Sequence, residues 1–540
     1  MYIKKVKLVL MRALFCISAL LFSKVISAAE FSQVRPSNEE FMELPEANWL
    51  KNGGDFYNRN FSQLDQINTS NVGDMIPIWR SHLAGSGVEA RFSGEAQPIV
   101  QDGIMYIITG ADDVFALSVE TGEILWSSFA NLTSEISTVC CGWTSRGVAI
   151  GEDKVFVGQL DGVLKAIDKE SGNTVWSIQA ENWQDGYTIT SAPLYFEGLV
   201  ITGFAGAEFA ARGRVKAFDA SNGSLVWTFY TVPGPGEFGH DSWPSDSTAW
   251  QTGGGTVWHT PAVDPDLGLI YFSTGNPGPD YNGAIRAGDN LFTASIVAID
   301  AYSGEYRWHF QQVHHDIWDY DAPNPVVLFD LEYDGVPRKG LAQAGKTGWV
   351  YILDRVTGEP LVGIEERAVP QEPRQATAAT QPFPVGDPFV TQTLDIPPEG
   401  FDLTNQGKIF TPFWDEPILL KRGEANWPPS TVDPAKGYMY VCAGERQAAY
   451  STQTDTDLAS SGDRYTGGSM RFAPVPTTGV VAAVNLRDNK VVWSQRWSSR
   501  CYSGLVASAG GLVFAGRNDG RFTAIDSENG RKLWEFMTDA

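Results

Sequence analysis

Cysteine is scarce in this chain, with five in 540 residues. One of them, Cys16, lies in an N-terminal leader, leaving Cys140, Cys141, Cys442 and Cys501. That is too few to build a disulfide scaffold at this size. No Cys-x-x-Cys-His occurs, which excludes covalently attached c-type haem in this chain. Long apolar runs are missing too. The run at residues 13–22 has about half of the roughly twenty residues that span a bilayer. Lys4, Lys5, Lys7 and Arg12 precede it and the small residues Ser27-Ala28-Ala29 follow, the pattern of a cleaved secretory signal over residues 1–29. Residues 30–540 are then expected to be an exported, soluble chain with no membrane span. Positive charge is the third shortage: 40 Lys and Arg stand against 64 Asp and Glu, a formal charge of −24. The leader carries five of the positives, so the mature chain stands near −29. Such a balance argues against nucleic acid or an anionic membrane as partner and suits a basic protein.

What is present is a repeat. ALSVETGEILW (116–126), AIDKESGNTVW (166–176), AFDASNGSLVW (217–227), AIDAYSGEYRW (298–308), AVNLRDNKVVW (483–493) and AIDSENGRKLW (524–534) each place Ala and Trp ten residues apart. A seventh copy, YILDRVTGEPL (351–361), keeps the Asp and Gly but lacks the Trp. Each reads as a β-hairpin turned by a polar residue and Gly, or by Asp-Asn in the copy at 483–493, with another alternating strand in front. Three or four short strands per unit is what a propeller blade needs, and a blade buries its faces only against neighbours. A linear β array or paired sandwiches would also use such hairpins, but a Trp recurring at one position favours radial packing. Seven copies plus a strand region from Trp79 predict an all-β, eight-bladed β-propeller in a single domain. Insertions at 228–259 and 363–426 are the expected functional loops.

Several short stretches carry chemistry. Cys140 and Cys141 are adjacent. If joined, they would close a tight ring with Cα atoms about 3.8 Å apart, under the usual disulfide span of about 4.4–6.8 Å; two buried thiols are the alternative. Glu208 follows a strand in Ala205-Gly206-Ala207-Glu208, Asn276 sits in Ser273-Thr274-Gly275-Asn276-Pro277, and Asp319 and Asp321 lie in HDIWDYD. The last two, at i and i+2, would share one side of an extended segment. Together the four make an all-oxygen set suited to a hard cation, although each alone also fits an unrelated surface loop.

Taken in order, the adjacent cysteines, AGAE, GGGTVWHTPAVDP, STGNP, GDN, HDIWDYD and GKTGWVYILDR resemble the quinoprotein dehydrogenases. These are eight-bladed propellers that oxidise alcohols or sugars with pyrroloquinoline quinone (PQQ) and a metal ion. The resemblance implies a Cys140–Cys141 disulfide against one face of the quinone and Trp258 against the other. It implies that Glu95, Arg146, Thr190, Gly206, Ala207, Thr256 and Asn426 bind the cofactor's polar edge. Glu208, Asn276 and Asp319, joined by Asp321, would hold calcium or a lanthanide. Asp319 would be the base and Lys346 would stand by the reactive carbonyl during hydride transfer to PQQ. Asp321 is the feature by which lanthanide members differ from calcium alcohol enzymes, whereas Ala322-Pro323-Asn324-Pro325 is closer to sugar-oxidising members. Tyr502 replaces a Trp of methanol-oxidising members, which argues against methanol. With no haem here, electrons would pass to a separate periplasmic cytochrome c. Family members also run on for two further strands after the position of Trp534, so a last blade left open is expected: the sequence is either incomplete or closes its ring in another way. The rival reading is a non-catalytic envelope propeller that binds proteins, which the blades alone fit equally well.

Overall fold

The computed structural model describes residues 38–85, 91–394, 398–399 and 403–538, so the expected signal at 1–29 lies outside the described residues. All the described residues belong to one compact unit. The secondary structure is almost entirely strand. Seven sheets succeed one another along the chain. Blade 1 is Ile99–Gln101, Ile104–Ile108, Val114–Ser118 and Ile124–Ser128; blade 2 covers residues 149–179, blade 3 residues 194–230 and blade 4 residues 262–311. Blade 5 (327–354) has three strands, blade 6 (431–497) gains two extra strands at Ile418–Glu424 and Gly468–Phe472, and blade 7 covers residues 505–537. Apart from the two extra strands of blade 6, which both pair with its strand Tyr438–Thr452, neighbours in sequence within each blade are antiparallel neighbours in the sheet, the meander that defines a β-propeller.

The ten-residue spacing has a structural cause. In all six complete copies the Ala lies opposite the Trp across the hairpin, and the register slips by one residue just after that Ala. The slip is a β-bulge, which adds twist. The Trp then docks on the next blade. Trp126 donates to Lys169 O (3.0 Å), Trp176 to Ala220 O (3.0 Å) and Trp308 to Arg355 O (3.1 Å). Each indole covers a turn glycine of that blade; a Cβ on Gly172 would lie 2.8 Å from Trp126. Those glycines have positive φ, +73° at Gly172, so only a residue without a Cβ both makes the turn and admits the ring.

Trp79 behaves as one more member of this series. It donates to Val119 O (2.8 Å) and covers Gly122, while Met75 packs with Leu512, Ala524 and Trp534 of blade 7. Residues 72–81 thus bridge blade 7 to blade 1 at the eighth position of the ring. The expected strand there is corrected in one respect: residues 75–83 form no paired strand. Ile76 and Ile78 stay exposed, at 78% and 77%.

A single segment ties the blades together. Trp49 bridges Val100 of blade 1. Phe56 O then accepts from Val263 of blade 4, Tyr57 O from Leu328 of blade 5, Arg59 O from Val432 of blade 6 and Asn60 O from Ala507 of blade 7. So short a stretch can reach the first strands of five blades only where they converge. Its Asn58 and Asn60 side chains, both buried, donate to Val326 O (3.1 Å) and Ser430 O (3.0 Å). Cys442 and Cys501, whose pairing the sequence leaves open, form a disulfide between blade 6 and the approach to blade 7, with Cα atoms 5.4 Å apart.

Candidate active site

Strand ends and the returns of both insertions meet at one cavity of about 280 Å³. Every site residue expected from the sequence lines it: Glu95, Cys140, Cys141, Arg146, Thr190, Gly206, Ala207, Glu208, Thr256, Trp258, Asn276, Asp319, Asp321, Lys346 and Asn426. Thr256 and Trp258 end the first insertion, and Arg422, Glu424 and Asn426 end the second.

Cys140 and Cys141 are joined in a disulfide, with Cα atoms 3.8 Å apart. Arg146 organises the neighbouring wall. It pairs with Glu95 (2.6 Å), donates to Thr190 Oγ1 and Trp258 O (both 3.0 Å) and lies over the Trp258 ring. Gly206, at φ +125°, is followed by one turn of 3-10 helix carrying Ala207 and Glu208. Glu208 O accepts from Tyr465. Burial raises the Glu208 pKa, and the negative charge of Asp319 adds to the effect.

The HDIWDYD stretch departs from the extended geometry expected of it. The carboxylate of Asp316 accepts from the backbone N–H of Trp318 (2.8 Å) and of Tyr320 (2.7 Å). These two bonds fold the chain around Asp319, which adopts φ +59°. Asp319 and Asp321 still converge, on Lys346. Its Nζ lies 3.0 Å from Asp319 Oδ1 and pairs with Asp321. Burial alone would lower the Lys346 pKa, but the two carboxylates raise it, so Lys346 keeps its charge. Burial lifts Asp321 to about 8 against the pull of Lys346. Asp321, expected as a metal ligand, lines the same cavity and pairs there with Lys346.

Arg422 escaped the sequence reading. It holds Asp319 Oδ2 (2.8 Å), Glu424 (2.7 Å), Trp318 O (3.0 Å) and the Tyr450 hydroxyl (2.9 Å). Glu424 also pairs with Arg500 (3.0 Å). The only trace in the sequence was Arg422 and Glu424 at i and i+2, which alternation puts on one face of the strand Ile418–Glu424.

The cavity suits a flat, polyanionic group: a disulfide and an indole in its walls, with Arg146, Lys346, Arg446 and Arg500 around it. For a cation it offers the oxygens of Glu208, Asn276 and Asp319, hard donors without sulfur or imidazole. Among the described residues no three His, Cys, Asp or Glu form a ready-made cluster. A buried Asp280 oxygen without a hydrogen-bond partner stands nearby.

Comparison with known proteins agrees with this site. The family model described as the β-propeller domain of glucose/ethanol/alcohol dehydrogenases matches residues 49–486. A second model, that of the outer membrane protein assembly factor BamB, matches residues 448–540. The quinoprotein alcohol dehydrogenase PedH of Pseudomonas putida is 31% identical over 98% of this chain and 88% of its own length. The quinoprotein ethanol dehydrogenase of Pseudomonas aeruginosa is 31% identical over 91% of this chain and 81% of its own. Among solved structures, the quinohemoprotein alcohol dehydrogenase of Comamonas testosteroni superposes with a TM-score of 0.78 at 30% identity, covering 91% of this chain and 73% of that one. A europium-containing methanol dehydrogenase gives 0.76 at 27% identity, covering 91% and 85%. The chain belongs to the PQQ-dependent dehydrogenase family, and it is a quinoprotein alcohol dehydrogenase.

Proposed function

We propose that this alcohol dehydrogenase works in the periplasm, with a calcium or lanthanide ion beside PQQ and a separate cytochrome c as its electron acceptor. The observation that carries the reading is Asp319, held at the cavity by Lys346 on one oxygen and Arg422 on the other. When bound, PQQ supplies the two-electron acceptor for the carbinol hydride. Glu208, Asn276 and Asp319 would hold the ion. Asp319 takes the hydroxyl proton, a role that needs a carboxylate fixed within hydrogen-bond reach of the substrate. Lys346, kept cationic, offsets negative charge developing beside it. The Cys140–Cys141 bridge and Trp258 give flat surfaces that orient a planar group without a covalent bond. A basic carrier is supported by the chain's net charge of −24. Export rests on the leader pattern of residues 1–29.

The test is reconstitution of metal-free protein with PQQ and either calcium or lanthanum, followed by an alcohol panel with glucose alongside, read with a dye acceptor. Turnover is expected on alcohols. In Asp319→Asn, PQQ should stay bound while kcat falls by about 10²–10⁴-fold. Wild-type protein that binds no PQQ with either ion would sink the reading, and normal turnover by Asp319→Asn would remove Asp319 as the base.

A further inference from the structure

The two extra strands of blade 6 build part of the cavity wall. Strand Tyr438–Thr452 pairs with Ile418–Glu424 along one stretch and with Gly468–Phe472 along another. Register decides which side chains share a face. Arg422 lies opposite Arg446, Phe472 opposite Ala448 and Met470 opposite Tyr450. Alternation along Tyr438–Thr452 then puts Arg446, Met470 and Phe472 on the face of Arg422, and all four line the cavity. Directly opposite residues keep their Cβ atoms about 5 Å apart. Arg446 therefore begins beside the very residue that grips Asp319 Oδ2.

Charge separates Arg446 from the other cations of the cavity. Arg146 pairs with Glu95, Lys346 with Asp319 and Asp321, Arg422 with Asp319 and Glu424, and Arg500 with Glu424. Arg446 has no carboxylate partner among the described residues, and its Nε is buried without a hydrogen-bond partner. Its guanidinium lies over the Phe472 ring, 4.1 Å from the centroid. Stacking of this kind holds the planar group in place and leaves its N–H edge free to donate. A buried donor left unpaired is costly until an acceptor meets it. We propose that Arg446 is a specificity-determining residue that receives a carboxylate on the substrate, so that the preferred alcohol is a hydroxy acid. A guanidinium takes a carboxylate through two parallel hydrogen bonds. Met470 and Phe472 give the carbons between the two ends of such a substrate an apolar surface. The proposal rests on the reading of Asp319 as the base.

The experiment gives the PQQ- and metal-loaded enzyme ω-hydroxy acids of graded chain length, each against the primary alcohol of the same length. Wild type should prefer the acid at one or more lengths. Arg446→Leu should lower kcat/KM for the acids about 10–100-fold, mainly through KM, and leave the neutral alcohols near wild type. Arg446→Lys, which keeps the charge but not the paired donors, should fall between the two. Arg446→Gln is made in parallel, and the ratio of acid to alcohol is read in whichever variant keeps the wild-type circular dichroism and urea midpoint. Binding of PQQ to the same variants, followed by quenching of tryptophan fluorescence, should be unchanged. A wild type indifferent to the carboxylate at every length overturns the proposal. So does a variant in which acid and alcohol fall equally, and if PQQ binding falls with them, Arg446 serves the cofactor instead. Normal turnover by Asp319→Asn, or a wild type that oxidises neither series, removes the reading of the base and takes this proposal with it.

Discussion

Arg422 meets four groups at once: Asp319, Glu424, Trp318 O and the Tyr450 hydroxyl. A planar guanidinium can do this because its donors leave in fixed directions, and an ammonium on a flexible stem cannot. Arg422→Lys should therefore release Asp319 and lower kcat about 10–100-fold, with little change in the KM for alcohol, as steady-state kinetics would show. Histidine gives a second prediction. His259 is fully buried and accepts from the backbone N–H of Ser273 (3.1 Å), and burial pushes its pKa down to about 3. His315 is held near 4, again chiefly by burial. An unfolded chain takes up these protons near the ordinary value of about 6.5 and the folded one does not, so the stability they contribute is full above that value. It is lost as pH falls toward about 4 and then about 3. Urea midpoints measured from pH 7 down to pH 4 should drop, and His259→Gln should flatten the curve. At this scale the sequence was legible wherever a residue sat in a short motif. Arg422 was not, because its role depends on which remote groups the fold brings to it, and a Lys-Arg-Gly-Glu run has many surface uses.

The docking tryptophans and the turn glycines form matched pairs across blades, and the exception explains itself. Blade 5 carries the one repeat without a Trp, ending in Leu361, and the facing turn of blade 6 has Asn489 where the others have Gly. Asn489 adopts φ +55° and donates to Val350 O (3.0 Å) and Val385 O (3.2 Å). With no indole above it, the turn has room for a side chain. Placing the same residue under an indole should fail. Gly172→Asn should destabilise by about 1–3 kcal/mol by overpacking against Trp126, and part of that loss should vanish when Trp126→Leu is added. A double-mutant cycle by urea denaturation should show coupling of about 0.5–3 kcal/mol. The Ala–Trp spacing was plain in the sequence, and so was the hairpin. The bulge behind the spacing was hidden, since it shows only as a one-residue slip between partners. So was the reason for Asn489, which depends on an adjacent blade more than a hundred residues earlier.

At the scale of the whole molecule the ring was legible because the repeat was, and its eighth position was marked by Trp79. Invisible beforehand was the role of residues 49–62, which have no counterpart in the repeat. Their contacts reach blades 1, 4, 5, 6 and 7.

That reach carries a consequence in time. Asn60 is made early, yet the carbonyls and amides that satisfy it belong to Ser430 and Ala507, the latter more than four hundred residues downstream. Blades can form in order, each from local hairpins, but the early segment has no lasting place until the last of them exists. Contacts so distant in sequence demand loop closure before they return any stabilisation, which slows the step that makes them. The central thread should thus be the final part to become native. In refolding followed by pulsed hydrogen exchange, amides of Val432 and Ala507, which donate to the thread, should gain protection later than the hairpin amides of their own blades. Asn60→Leu should slow that last phase and leave the earlier ones unchanged. Simultaneous protection of both groups would show that the thread and the blades close together.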